Sequence, residues 1–157
     1  MNELKIGDTV TNFTLSSDQQ ESVSISDFHG KNIILYFYPK DDTPGCTIEA
    51  KDFSCLTEEF SKLNTVIIGI SKDDIKSHAK FRVKHDLKHI LLADPNLDII
   101  KQFNCWVEKS MYGKKYMGVA RKTFLINKEG LLERIWPDVK IKDHAEEVLS
   151  VIKNMSK

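Results

Sequence analysis

The chain has 157 residues, is 41% hydrophobic and 29% charged, and carries 23 basic against 23 acidic side chains. That length bounds one domain, expected over residues 1–157, and the composition excludes disordered and fibrous classes. Zero formal net charge argues against a nucleic-acid partner, and the longest apolar run, residues 33–38, is far short of the ~20 residues that span a bilayer.

The elements alternate along the chain. Residues 23–25 predict a short strand, and 32–38 a β-rich apolar strand buried on both faces. Residues 39–45 carry turn chemistry. A helix follows over 47–63, where Phe53, Leu56, Phe60 and Leu63 recur at spacings of three and four, with Asn64 as its C-terminal cap. Residues 65–70 predict a second buried strand, 73–87 a helix, and 89–93 a short strand. Asp94-Pro95 reads as N-cap and first-turn proline of a helix through Phe103. Residues 121–127 and 131–136 flank Asn127-Lys128-Glu129-Gly130, a hairpin signal. Asp143, with Glu146 three residues on, opens a last amphipathic helix. The order βαβαβα, hairpin, α implies an α/β fold whose central mixed β-sheet is flanked by helices, a pattern compatible with a thioredoxin-like fold.

Residues 1–5 lack the basic start and apolar stretch of a signal peptide, so the expected location is cytoplasmic. The three cysteines, Cys46, Cys55 and Cys105, include no C-x-x-C pair. This argues against a zinc knuckle, a thioredoxin redox motif and a disulfide framework, and leaves free thiols. None of the five histidines (His29, His78, His85, His89 and His144) has metal-ligand spacing, and all five read as surface or cap residues. No metal is expected. Residues 109–116 read as a solvated basic loop at the site mouth or a docking surface.

Cys46 falls where a buried strand ends, a turn intervenes and a helix begins. Thr43-Pro44 reads as N-cap and first helical position, which puts Cys46 in the first turn, at the positive end of the helix dipole. An anion is favoured there, and thiolate is the nucleophilic form of cysteine. On position alone, a packed inert thiol is an equal alternative.

The surrounding residues read Tyr38-Pro39-Lys40-Asp41-Asp42-Thr43-Pro44-Gly45-Cys46-Thr47. The pattern Pro39-x-x-x-Thr43-x-x-Cys46 resembles the peroxiredoxin active-site signature. With Tyr36-Phe37 before it, the wider string is similar to the peroxiredoxin Q subfamily, also called bacterioferritin comigratory protein. The resemblance extends through residues 7–8, 66–71, 103–106 and 118–124 to the final helix. It implies a thiol-dependent peroxidase that reduces hydroperoxides through a Cys46 sulfenic acid, without a cofactor. Thr43 is then expected beside the thiolate and bound peroxide, Pro39 as its cover, Arg121 as the stabilising cation, and Glu49 as the residue orienting Arg121. Singly, these residues read as turn, cap, surface charge and solvated helix position. The implied partners are thioredoxin, glutaredoxin or a small thiol, and the subfamily implies a monomer.

One departure bears on the cycle. Relatives carry a resolving cysteine five residues after the first, where this chain has Lys51, or in the following helix, which here has none. Cys55 lies nine residues after Cys46, about 13 Å along an intact helix, so a Cys46–Cys55 bond would need the first turns to unwind. Cys105 reads as a packing thiol. A one-cysteine cycle is therefore expected, with Cys55 as the second choice for resolution. The alternative to an enzyme is a peroxide-sensing thioredoxin-fold module without turnover.

Overall fold

The computed structural model describes residues 4–155, so residues 1–3 and 156–157 of the expected 1–157 span lie outside the described residues. The elements are β1 (Thr14–Ser17), β2 (Val23–Ser24), a 3-10 turn (Ile25–Phe28), β3 (Asn32–Phe37), α1 (Pro44–Cys55), α2 (Thr57–Lys62), β4 (Thr65–Ser71), α3 (Ile75–His85) and β5 (Ile90–Ala93). They continue as α4 (Asp98–Gln102), β6 (Trp106–Met111), β7 (Lys114–Val119), β8 (Lys122–Ile126), β9 (Leu132–Trp136) and α5 (His144–Met155). Seven strands form one sheet in the order β2-β1-β5-β4-β3-β8-β9, while β6 and β7 pair only with each other.

β3 is central because its residues are apolar on both faces, as a parallel strand covered on two sides requires. It runs parallel to β4, which runs parallel to β5, and β8 closes on its other edge antiparallel. Ile34 and Tyr36 point into a core shared with Phe53 of α1, Phe60 of α2, Phe81 of α3 and Val148 of α5. Ile33, Leu35 and Phe37 point into a second core with Ile100 of α4, Phe103, Cys105 and Phe124. Burying each such side chain stabilises the fold by about 1.5–3 kcal/mol. The mixed sheet flanked by helices is thus the expected one, and it is thioredoxin-like. Gly69 sits opposite Tyr36 in the β3–β4 register, and a Cβ there would fall 2.7 Å from the Tyr36 ring.

Three local expectations need correction, and one strand was not expected. The helix over 47–63 is two helices, α1 and α2, broken at Leu56, where Thr57 Oγ1 turns back to donate to the Phe53 carbonyl. α4 begins at Asp98 rather than at Pro95. Asp94 still serves its N-terminus, but from outside, accepting the N–H groups of Ile99 and Ile100. The basic loop over 109–116 is the β6–β7 hairpin, turned at Tyr112-Gly113, both with positive φ as a type I′ turn demands. β1 was not expected, because Thr14-Leu15-Ser16-Ser17 has only one apolar residue to mark it.

Candidate active site

The segment between β3 and α1 delivers Cys46 to its place. Thr43 is extended, with φ −89° and ψ 155°, and Pro44 fills the first helical position, where a missing N–H costs nothing. The Thr43 side chain makes no capping bond; its hydroxyl donates to the Lys40 carbonyl at 2.8 Å. The helix N–H groups of the first turn therefore remain available around Cys46, whose sulfur shares that end of α1. Cys46 is 1% exposed and packs into the core with Tyr36, Ala50 and Phe53. Pro39 is half-buried in the same segment.

Arg121 precedes β8. Since Lys122 pairs with Phe37, the last residue of β3, the strand register carries Arg121 to the same edge of the sheet as Cys46. Its Nη1 donates to Glu49 Oε1 at 2.7 Å and its Nη2 to the Cys46 sulfur at 3.4 Å. Glu49, one turn after Cys46 on the same face, is buried rather than solvated. Burial pushes its carboxyl up to about 7 against the pull of Arg121, and its Oε2 has no hydrogen-bond partner among the described residues. Burial works against the Arg121 cation, but Glu49 and Cys46 outweigh it and hold the guanidinium above its ordinary value. Gly45 leaves room for this arrangement: a Cβ there would lie 2.9 Å from Ile141 Cδ1 and 3.4 Å from Arg121 Nη2.

The basic stretch expected at the site mouth contributes Lys109, whereas Asp41 and Asp42 were not singled out by the sequence. Lys109 on β6 is half-buried; burial lowers its ammonium first, Arg121 lowers it further, and Cys46 pulls it back up. Asp41 and Asp42 tie the segment before Cys46 to α3. Asp41 meets Tyr38 Oη at 2.6 Å, Ser77 Oγ at 2.8 Å and His78 Nδ1 at 2.6 Å, while Asp42 meets Lys84 Nζ at 2.7 Å and His85 Nε2 at 2.9 Å. A turn aspartate carries no local mark of a partner 37 positions away.

Three histidines are not at the surface. His78, His89 and His144 are buried, each bonded to a partner on another element: Asp41, Tyr36 and Thr123. Each follows a polar or charged residue and precedes an apolar one (Ala79, Ile90 and Ala145), and a lone histidine at such a boundary does not mark its own burial. Burial holds His89 down to about 3 and His144 to about 4. Among the described residues no three His, Cys, Asp or Glu side chains could hold a metal ion.

All three cysteines are free thiols. Cys55 is exposed at the far end of α1. Cys105 lies in the second core, across the sheet from Cys46, with its sulfur 3.5 Å from the Phe103 carbonyl. Burial pushes its thiol up to about 12.

A thiol set at a helix N-terminus on a thioredoxin-like sheet, with an arginine on its sulfur, is the architecture of thiol-dependent peroxidases. The chain belongs to the AhpC/TSA family, whose model matches residues 6–135, and within it to the Bcp/PrxQ peroxiredoxins. It is 48% identical to peroxiredoxin Bcp of Bacillus subtilis over 153 residues, 98% of each chain. Peroxiredoxin Bcp of Escherichia coli K12 is 38% identical, again over 98% of each. A mutant of Xylella fastidiosa PrxQ superposes with a TM-score of 0.94 at 34% identity over 100% of both chains. Xanthomonas campestris bacterioferritin comigratory protein, whose structures concern its alkyl peroxide reduction activity, gives 0.87 at 37% identity over 92% of each. The protein is accordingly a thiol-dependent peroxidase, which disfavours the sensing module without turnover. Among the described residues no helix is long and apolar enough to cross a membrane.

Proposed function

We propose that Cys46 is the peroxidatic nucleophile of a one-cysteine cycle in a single-domain, monomeric, cytosolic enzyme. The Cys46 thiolate attacks the terminal oxygen of a hydroperoxide. A sulfur–oxygen bond forms, the oxygen–oxygen bond breaks, and the other oxygen leaves as alkoxide or hydroxide and takes a proton to become alcohol or water. Arg121 carries the argument: one guanidinium, held by Glu49, reaches the sulfur and stabilises negative charge as it passes from sulfur to the leaving oxygen. Thr43 presents its hydroxyl oxygen to the peroxide, and Pro39 covers the thiol against bulk water.

Resolution by an external thiol fits the positions of the other cysteines. α1 is continuous from Pro44 to Cys55, which separates the ends by more than a disulfide can bridge, and Cys105 is on the opposite face of the sheet. The external thiol, from thioredoxin, glutaredoxin or a small thiol, attacks the sulfenic sulfur. Water leaves and a mixed disulfide forms, which a second thiol reduces.

The test is stopped-flow oxidation of the reduced protein by one equivalent of hydrogen peroxide, with thiol counting and intact mass. Loss of one thiol with gain of one oxygen supports the one-cysteine cycle. Loss of two thiols with no oxygen gained overturns it. Full activity in Cys46→Ser overturns the assignment of Cys46.

A further inference from the structure

Both ring nitrogens of His78 face acceptors. Nδ1 lies 2.6 Å from Asp41 Oδ2, and Nε2 lies 3.0 Å from the Leu92 carbonyl oxygen. A neutral imidazole has one N–H, so it can serve one of these and must set a lone pair against the other. The imidazolium serves both. His78 is wholly buried and water cannot substitute for either partner.

Asp41 completes the pair. Its Oδ1 accepts from Tyr38 Oη at 2.6 Å, and its Oδ2 accepts from Ser77 Oγ at 2.8 Å as well as from His78. Its backbone N–H donates to Asp73 Oδ2 at 2.8 Å, and Ser71 Oγ donates to that same oxygen at 2.7 Å. Asp41 belongs to the segment that carries Pro39 and Thr43 and enters α1 two residues before Cys46. Ser77, Lys84 and His85 also tie this segment to α3, but the His78–Asp41 pair is the buried ionic link and His78 extends it to β5.

We propose that His78, charged between Asp41 and the Leu92 carbonyl, is a positioning residue for the peroxidase reaction: it fixes the Pro39–Thr43 segment over Cys46, and its deprotonation releases that segment. This rests on Cys46 being the nucleophile. Facing His78 are Asp41 from the β3–α1 segment, Asp73 from the β4–α3 connection, Tyr38 with ring centroids 6.5 Å apart, and the Leu92 carbonyl of β5. Burial opposes the charge, but Asp41, Leu92 and Asp73 outweigh it and raise His78 above the ordinary histidine value. The sign follows: the clamp is intact at low and neutral pH and is lost as pH rises through the raised value.

Two measurements test this. Nitrogen-15 NMR of the reduced protein at neutral pH reads the His78 ring directly. Protonation of both nitrogens is expected, and a neutral tautomer overturns the proposal. Stopped-flow oxidation by hydrogen peroxide is then followed from neutral to alkaline pH. The wild-type rate is expected to fall at alkaline pH, where a simple thiolate reaction would only level off. Folded His78→Asn is expected to run about tenfold slower without that fall, since a small misplacement at the reacting atoms has this scale of effect. A wild-type profile with no alkaline fall, or a His78→Asn profile equal to wild type, overturns the proposal. If His78→Asn does not fold, the NMR result decides. Peroxide reduction by Cys46→Ser would instead sink the underlying reading, while the His78 ring is still read by NMR.

Discussion

The Nη2 nitrogen of Arg121 lies 3.4 Å from the sulfur of Cys46, although 75 positions separate the two in the chain. Charge alone does not make this contact. The planar guanidinium meets Glu49 and Cys46 through two different nitrogens of a rigid fork, a geometry that the single nitrogen of an ammonium does not reproduce. Arg121→Lys is expected to slow oxidation of Cys46 substantially, and Arg121→Ala by about 100-fold or more, as for loss of one transition-state donor. Both are checked by the second-order rate with hydrogen peroxide. A lysine variant at the wild-type rate would mean that the fork is not needed.

Gly45 tests the same contact from behind. Its missing Cβ leaves space that Ile141 Cδ1 and Arg121 Nη2 approach. The Ile141 tip can swing away, so Gly45→Ala should keep its fold, with a loss of no more than about 1–2 kcal/mol in denaturant unfolding. The displaced Arg121 should nonetheless lower the oxidation rate several-fold. Unchanged kinetics in a folded Gly45→Ala protein would count against tight placement of Arg121.

The two remaining cysteines should be dispensable for turnover. Cys55→Ser removes an exposed thiol at the end of α1 and should leave both rate and stability near wild type. Cys105→Ala leaves a small gap in the second core and should cost about 1 kcal/mol without changing the rate. A steady-state assay with a thiol reductant separates these from a resolving role, in which either variant would lose turnover while keeping its first oxidation.

Two buried histidines set the response to acid. His89 and His144 are held to about 3 and about 4, chiefly by burial. Their folded values lie below the ordinary ~6.5, so they contribute stability above that pH and lose it as pH falls through the folded values. At ~1.4 kcal/mol per pKa unit these shifts correspond to an acid destabilisation of at most about 5 kcal/mol for His89 and about 3 kcal/mol for His144. Glu49, raised to about 7, acts oppositely, contributing below about 4.5 and losing that contribution as pH rises through 7. The comparison to make is therefore His144→Asn against wild type across this range. A parallel pair of stability curves would remove His144 as a cause.

The main scaffold was legible because β3 and β4 are dominated by β-branched and aromatic apolar residues, while the helices were legible in number more than in extent, since the 47–63 stretch breaks at Leu56. Cys46, Thr43 and Pro39 are singled out in the sequence by the spacing of the signature and Arg121 and Glu49 only by the family resemblance; of these, Arg121 is the one found bonded to both Glu49 and the Cys46 sulfur. What was hidden has one physical character. His78, Asp41, His89 and His144 are polar residues whose burial is compensated by partners far along the chain, and local pattern records only hydrophobic periodicity. The β6–β7 hairpin escaped because its turn uses Tyr112 at positive φ, where asparagine or aspartate would have announced it.

Cys46 belongs to the same packed cluster as Tyr36, Phe53, Trp136 and Val148. Under the proposed mechanism the atom that gains oxygen is also a core atom, and the sulfenic acid is a small-to-large substitution made by the substrate. Each turnover through that sulfenic acid is then expected to strain and relax the interior. Oxidised protein should melt at a lower temperature than reduced protein, so the enzyme's own stability records the redox state of its sulfur.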